Sequence, residues 1–144
     1  MVLNPLLIAQ CSTRVLTEAD YKEYEAFFLK CHPGQNIEWL RDYFYEMARD
    51  GLCVGVFADG GLVSCTDAPG MPYMAGDVQK IGINTLREYR GRGYASAECS
   101  KCIHKILEHG KTLMWSSAAG NTASRKLAER IGFVEFAEVI YITF

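Results

Sequence analysis

The stretch from Val78 to His109 changes its repeat halfway, and that change restricts the fold more than any other feature of the chain. Val78 to Leu86 reads VQKIGINTL, a strand-like run. From Tyr94 onward, Ala95, Cys99, Cys102, Ile103 and Ile106 recur at three- and four-residue intervals, which gives a helix one apolar face. Gly110 stops that helix. Between the two periods lies YRGRGYA, Tyr89 to Ala95, where Arg90 and Arg92 alternate with Gly91 and Gly93. A strand that feeds a long amphipathic helix through a short loop is a building unit of an α/β layer structure.

The composition of the loop has a physical cause. A helix start carries unpaired backbone N–H groups and the positive end of the helix dipole, so it is a natural seat for phosphate. Gly91 and Gly93 let the main chain turn and approach a ligand with no side chain in the way, and Arg90 and Arg92 add charge. A charge-assisted hydrogen bond contributes roughly 1.5–3 kcal/mol and the dipole about 0.3–1 kcal/mol, enough together to hold a pyrophosphate against its hydration. The spacing is neither G-x-G-x-x-G nor that of a Walker loop, which argues against dinucleotide and triphosphate sites. A solvated Arg-Gly turn is the plain structural alternative. An Arg-Gly grip on nucleic acid is a further one, but a net charge of -2 and the lack of a wider basic and aromatic surface speak against it.

The remaining elements follow from local signals. Leu6-Leu7-Ile8 reads as a first strand, and Thr17 to Asp20 has the pattern of a capping box that opens a helix through about Lys30. Asn36 caps a second helix, IEWLRDYFYEMARD, which Gly51 ends. LCVGVFA and LVSCT flank Asp59-Gly60-Gly61 as a hairpin, and DAPGMPYMAGD is a loop. Thr112 to Ser117 is a strand, Asn121 opens a short helix stopped by Gly132, and FVEFAEVIYITF alternates as a closing strand. The fold class is α/β: a single domain over residues 1–144, built as an α/β/α sandwich around a mixed sheet.

At 144 residues, 49% hydrophobic and 22% charged, the chain buries an ordinary core without a staple. The opening MVLNPLLIAQC lacks a basic segment and a cleavage site, and no apolar run is long enough for a bilayer, so a cytoplasmic location without membrane contact is expected. The cysteines, six in all, are scattered through apolar-patterned segments, which suits reduced buried thiols. Cys99 and Cys102 share a helix face, and core packing outweighs zinc there, so no metal site is expected.

Arg90-Gly-Arg-Gly93-Tyr-Ala95, with the strand IGINTL before it and the long helix after it, resembles the pyrophosphate loop Q/R-x-x-G-x-G/A of the GNAT superfamily of acyl-CoA-dependent N-acyltransferases. Downstream, Trp115-Ser-Ser117 and Asn121-Thr-Ala-Ser124-Arg-Lys-Leu127-Ala-Glu-Arg-Ile131-Gly-Phe133 resemble the second cofactor-side segment of that family, in the right order. The resemblance implies a splayed central strand pair in a mostly antiparallel sheet, and acetyl-CoA as cofactor. It places the pantetheine arm along Ile83 and Thr85, the pyrophosphate at Arg90, Gly91, Arg92, Gly93, Tyr94 and Ala95, and further pantetheine contacts at Asn121 and Ser124. Against these assignments, Asn121 also reads as a plain helix cap and Ser124 as a first-turn residue.

Acyl transfer needs an uncharged amine, donors for the developing oxyanion and a proton for the departing thiolate. A lysine-like amine is less than roughly 0.1% neutral at pH 7, so a base or water path must deprotonate it. Both positions that carry catalytic groups in many family members are silent here: the usual tyrosine is Ala128 and the usual glutamate is Gln79. Ser117, Ser124, Asp77, Tyr141 and water stay open as substitutes, and no catalytic residue is assigned. The early aromatics Tyr21, Tyr24, Phe27, Phe28, Trp39, Tyr43, Phe44 and Tyr45 read mostly as core or rim. The expected activity is transfer of an acetyl group from acetyl-CoA to a primary amine on a small molecule or peptide. The alternative is a catalytically weak acyl-CoA-binding module. A homodimer is compatible with the chain and not demanded by it.

Overall fold

The computed structural model describes residues 13–69, 77–138 and 140. The expected first strand at Leu6–Ile8, the middle of the DAPGMPYMAGD loop and Tyr141 lie outside the described residues. The elements run β1 (Thr13–Val15), α1 (Tyr21–Cys31), α2 (Leu40–Arg49), β2 (Val54–Ala58), β3 (Gly61–Asp67), β4 (Val78–Lys80), β5 (Gly82–Thr85), α3 (Tyr94–Glu108), β6 (Thr112–Met114) and α4 (Thr122–Ile131). Short 3-10 turns precede α1 and follow β5.

Alternation along β2 and β3 builds the layers. Side chains from one face of the hairpin, Cys53 and Cys65 among them, pack with Tyr24, Phe27, Phe44 and Met47 of α1 and α2. Those from the other face, such as Val54, pack with Cys99, Cys102 and Ile106 of α3. The sheet is therefore clothed on both sides, as expected from the sequence. Tyr24 and Phe44 stack with ring centroids 4.5 Å apart and fasten α1 to α2.

The sheet order is β1-β2-β3-β5, all antiparallel, with β4 and β6 forming a separate parallel pair. The β2–β3 hairpin turns at Asp59 and Gly60, whose φ angles of 51 and 83° supply the left-handed pair that a tight two-residue turn needs. The expected strand from Val78 to Leu86 is one run of chain that changes partner at Ile81, a tertiary event that periodicity does not encode.

Three boundaries differ from the sequence reading. The second helix begins at Leu40, because the Asn36 side-chain oxygen Oδ1 accepts the Glu38 N–H at 2.9 Å and closes a turn ahead of the helix. The strand from Thr112 stops at Met114. The closing segment is not a strand at residues 133–138 or 140: Val134, Phe136 and Ile140 are 87, 100 and 82% exposed. Alternation prepares a strand, but no neighbouring strand among the described residues pairs with this segment.

Candidate functional site

The partner change at Ile81 makes a fork. Val78–Lys80 pairs in parallel with Thr112–Met114, and the last bond of that ladder runs from the Ile81 N–H to the Met114 carbonyl at 3.0 Å. From Gly82 the strand pairs on its other edge with β3, and the Leu86 N–H reaches the Val63 carbonyl at 2.9 Å. Backbone direction alternates along an antiparallel strand, so Gly82 and Asn84 turn their N–H groups to β3 while Ile83 and Thr85 turn theirs to the side that β6 has left. Both residues singled out from the sequence are thus brought to the edge of the fork that no strand among the described residues pairs. The Thr85 carbonyl accepts the Arg90 Nε–H at 3.1 Å, which folds the loop back over the end of the strand.

The Arg-Gly loop joins this edge to α3. Gly91 and Gly93 have φ of +78 and +79°, a region unfavourable to side chains, so the sequence reading of both as turn residues holds. Gly93 is the residue at the helix start. Among the described residues no side chain caps α3 there, and no acidic residue lies in its first turn. The first helical bond is the Ala97 N–H to the Gly93 carbonyl at 3.2 Å, so the N–H groups of Tyr94, Ala95 and Ser96 precede the ladder. Arg92 lies over the Tyr89 ring, 4.9 Å from its centroid, and Tyr89 in turn hydrogen-bonds Asp59 at the hairpin tip.

At the start of α4 the Asn121 side chain accepts the Ser124 N–H at 3.2 Å, and the Ser124 hydroxyl accepts the Trp115 indole N–H at 3.1 Å. Asn121 is therefore a helix cap in this structure, with its amide NH2 unused by that bond. Trp115 also packs on Phe133 at 5.6 Å, which ties the chain after β6 to the end of α4. The arrangement brings Trp115, Asn121 and Ser124 together.

The candidate proton-transfer groups divide differently. Gln79 is buried. Its amide donates to the Ala68 carbonyl and its carbonyl accepts the Lys111 ammonium at 3.2 Å, so it serves as a clamp. Ala128 is buried against the α3 layer. Ser117 and Asp77 are exposed, and the Asp77 backbone carbonyl receives the Thr112 N–H at 2.7 Å.

Two acids that the sequence reading passed over stand out. Asp67, the last residue of β3, is a half-buried residue whose carboxylate accepts the Tyr24 hydroxyl at 3.3 Å and also the Tyr43 hydroxyl. Burial pushes this carboxyl up to about 6, against the pull of the two hydroxyls. Glu98, in the first turns of α3, is fully buried with one oxygen 2.6 Å from the Ser64 hydroxyl, which lies 2.8 Å from the Thr85 hydroxyl. The other oxygen has no partner among the described residues, and burial raises this carboxyl well above the usual range, which favours its neutral form. The hydroxyl chain from Glu98 fixes β5 against α3 immediately beneath the fork.

Cys53, Cys65, Cys99 and Cys102 are buried free thiols, as read from the sequence, and Cys53, Cys65 and Asp67 are the one grouping of metal-ligand type among the described residues. No helix among the described residues is long and apolar enough to cross a membrane.

Known proteins share this fold. A family model described as GNAT acetyltransferase matches residues 12–141. The Bacillus subtilis protein YdaF, named as a candidate ribosomal N-acetyltransferase, is 29% identical over 100 residues, covering 68% of this chain and 52% of its own length. The chain thus spans about half the length of that curated relative. Among solved structures, the aminoglycoside acetyltransferase AAC(6')-Iy, bound to the bisubstrate analogue CoA-S-monomethyl-acetylneamine, superposes with a TM-score of 0.72 at 20% identity, over 92% of this chain and 96% of the other. A ribosomal-protein-alanine N-acetyltransferase from Brucella melitensis gives 0.71 at 19% identity, over 87% and 85% of the two chains. At such identities the two superpositions speak for a common fold, and the family match extends from β1 past the fork, the Arg-Gly loop and α4: the chain belongs to the GNAT acetyltransferase family.

Proposed function

We propose that this chain is an N-acetyltransferase that moves the acetyl group of acetyl-CoA to a primary amine by direct attack of the amine on the thioester. The observation that carries this reading is the fork. Backbone N–H groups of Ile83 and Thr85 face an edge that β6 leaves open, and the same strand leads within a few residues to an uncapped helix start flanked by two guanidinium groups. This donor set suits an extended amide-bearing arm that ends in a diphosphate.

Ile83 and Thr85 would hold the pantetheine arm as an added strand. The N–H groups from Arg90 to Ala95, with the Arg90 and Arg92 charges, would hold the diphosphate. A Cβ built on Gly91 would meet nothing within 4 Å, so the space beside the loop is open to a ligand. Asn121 and Ser124 lie where the α4 start would meet the arm, Asn121 offering the amide hydrogens that its capping bond leaves unused. When bound, acetyl-CoA supplies an activated acyl group. The chain supplies backbone donors at the fork that can face the thioester oxygen as charge develops on it, and orientation of this kind is worth several kcal/mol of barrier.

An amine acceptor is supported by the company the fold keeps, since the superposed structures are named as aminoglycoside and ribosomal-protein N-acetyltransferases. A second reading, a binding module with weak turnover, is favoured by the burial of both Gln79 and Ala128 at the two familiar catalytic positions. Calorimetry with coenzyme A and acetyl-CoA, followed by thiol release across spermidine, neamine and an N-terminal alanine peptide, separates the possibilities. Uptake with thiol release in at least one amine supports the enzyme, and uptake with background release throughout supports the module. No uptake of either coenzyme sinks both.

A further inference from the structure

With both familiar catalytic positions silent, the proton of the acceptor ammonium needs another destination, and on the α1–α2 side of the fork the structure places the Asp67 carboxylate. Asp67 is the cross-strand partner of Gly82, the first residue past the last β4–β6 bond. Cross-strand partners share a face and stand about 5 Å apart at Cβ. The face they share is that of α1 and α2, because Tyr24 reaches Asp67 from α1 and Tyr43 from α2, whereas Ile83 and Thr85 face α3. Gly82 contributes no side chain. Among the described residues, a Cβ placed there would come within 4 Å of the Asp67 carbonyl alone, at 3.9 Å, so no side chain of β5 stands beside Asp67 at this register position.

The carboxylate is also aimed. Hydroxyls from two different helices converge on it, which fixes its rotamer while leaving acceptor lone pairs unused, since an ionised carboxylate offers about four. The titratable groups that share its field are Tyr24 and Cys31 from α1, Tyr43 from α2, Cys102 from α3, Cys53 just ahead of β2 and Cys65 on β3. Burial raises both phenols, Cys31 and Cys65 above their ordinary values, so these four stay neutral below pH 8. Arg90 acts on Cys31 from the loop, and the Lys111 ammonium is held on Gln79, whose amide bonds the carbonyl of Ala68 next to Asp67.

We propose that Asp67 is the residue that receives the acceptor's proton: it pairs with the incoming ammonium on the α1–α2 face of the fork and deprotonates it for attack. This rests on the acetyltransferase reading above. Asp67 breaks one N–H bond and passes that proton to water. The nitrogen lone pair so freed forms the C–N bond as the C–S bond breaks. The sulfur leaves with the electron pair of the C–S bond and is neutralised by a second proton from the nitrogen, so one proton is released to solvent per transfer. A carboxyl titrating near neutrality is ionised at working pH yet basic enough to share a proton with an amine that loses basicity as it bonds to carbon.

The test needs no knowledge of the natural acceptor. S-(2-aminoethyl)-coenzyme A carries an ammonium close to where the attacking nitrogen would stand, and S-propyl-coenzyme A is its neutral counterpart with the same phosphates. Dissociation constants of both are measured by calorimetry from pH 5 to 8 for wild type and Asp67→Asn. The expected result is a preference for the aminoethyl probe of about tenfold or more at pH 7.5, fading below pH 6, and absent in the variant, which binds the propyl probe as wild type does. Equal affinity for the two probes in wild type, or a preference that survives in Asp67→Asn, overturns the assignment while leaving the coenzyme site intact. Failure of wild type to bind either probe removes the underlying reading, and the role of Asp67 with it.

Discussion

Replacing Asp67 with asparagine should make the protein more stable at neutral pH, and by an amount that depends on pH in a stated direction. The carboxyl titrates at about 6 in the fold against an ordinary 3.8, because burial beside two phenols disfavours its charge. The folded state therefore holds this proton more tightly than the unfolded chain does. The stability so gained is full below pH 3.8 and is lost as pH rises through about 6. Two pH units at about 1.4 kcal/mol each put the loss near 3 kcal/mol, an upper figure for a residue that keeps partial exposure. Asparagine is neutral throughout and its carbonyl can still accept the Tyr24 hydroxyl. At roughly 3–4 °C per kcal/mol for a domain of this size, Asp67→Asn should melt up to about 10 °C above wild type at pH 7.5 and level with it near pH 4. Thermal unfolding followed by circular dichroism at pH 4, 6 and 7.5 reads this directly. A variant that melts below wild type at pH 7.5, or by the same margin at every pH, would show that the ionised carboxylate is a structural tie, and the reasoning about its strained charge would be wrong. A gain in stability at the expense of amine handling is the pattern expected of a functional group held in an unfavourable setting.

Gly93→Val forces a β-branched residue to a φ of +79° at the head of α3, so coenzyme A affinity measured by calorimetry should fall at least about tenfold, whereas Lys22→Ala, on the exposed side of α1, should leave it unchanged; equal small effects would remove the loop from the site. For Glu98, whose carboxyl burial raises well above the usual range, Gln should be tolerated within about 1 kcal/mol at pH 7 in urea unfolding, while Ala, which removes the carboxyl partner of Ser64 and opens a cavity, should cost about 2–4 kcal/mol. Equal losses for the two variants would mean that the carboxyl is ionised in the fold.

What could be read from the chain was local. The Asp59-Gly60 turn, the helix stops at Gly51, Gly110 and Gly132, the Asn121 cap and the Gly91 and Gly93 bends each depend on a few adjacent residues, and each is found in the structure with the φ angle or bond that its residue type favours. The strand β1 escaped notice because Thr13-Arg14-Val15 is too short to show a period. The fork was implied by the family resemblance alone, because VQKIGINTL reads as one strand and pairing is decided by what lies beside it. Glu98 did leave a trace: it stands three residues after Ala95 and four before Cys102, on the apolar stripe of α3, where a lone carboxyl has to be buried or partnered.

Asp67 left no such trace, since its setting comes from Tyr24, 43 positions away, and from Tyr43 on a second helix. The division has a physical logic. A coenzyme gripped through backbone N–H groups asks only for a strand edge, glycines and a helix start, all of which are short-range. A carboxylate tuned toward neutrality asks for burial by elements that meet only in the fold. Gln79 belongs to the same account. Its amide grips the Ala68 carbonyl, one residue beyond Asp67, and its own carbonyl takes the Lys111 ammonium. A glutamate there would set a second negative charge near Asp67, and like charges at close range hold one of the pair protonated. With glutamine at that position Asp67 is spared a like-charged neighbour there, and the side of the fork facing α1 and α2 carries its carboxylate on β3.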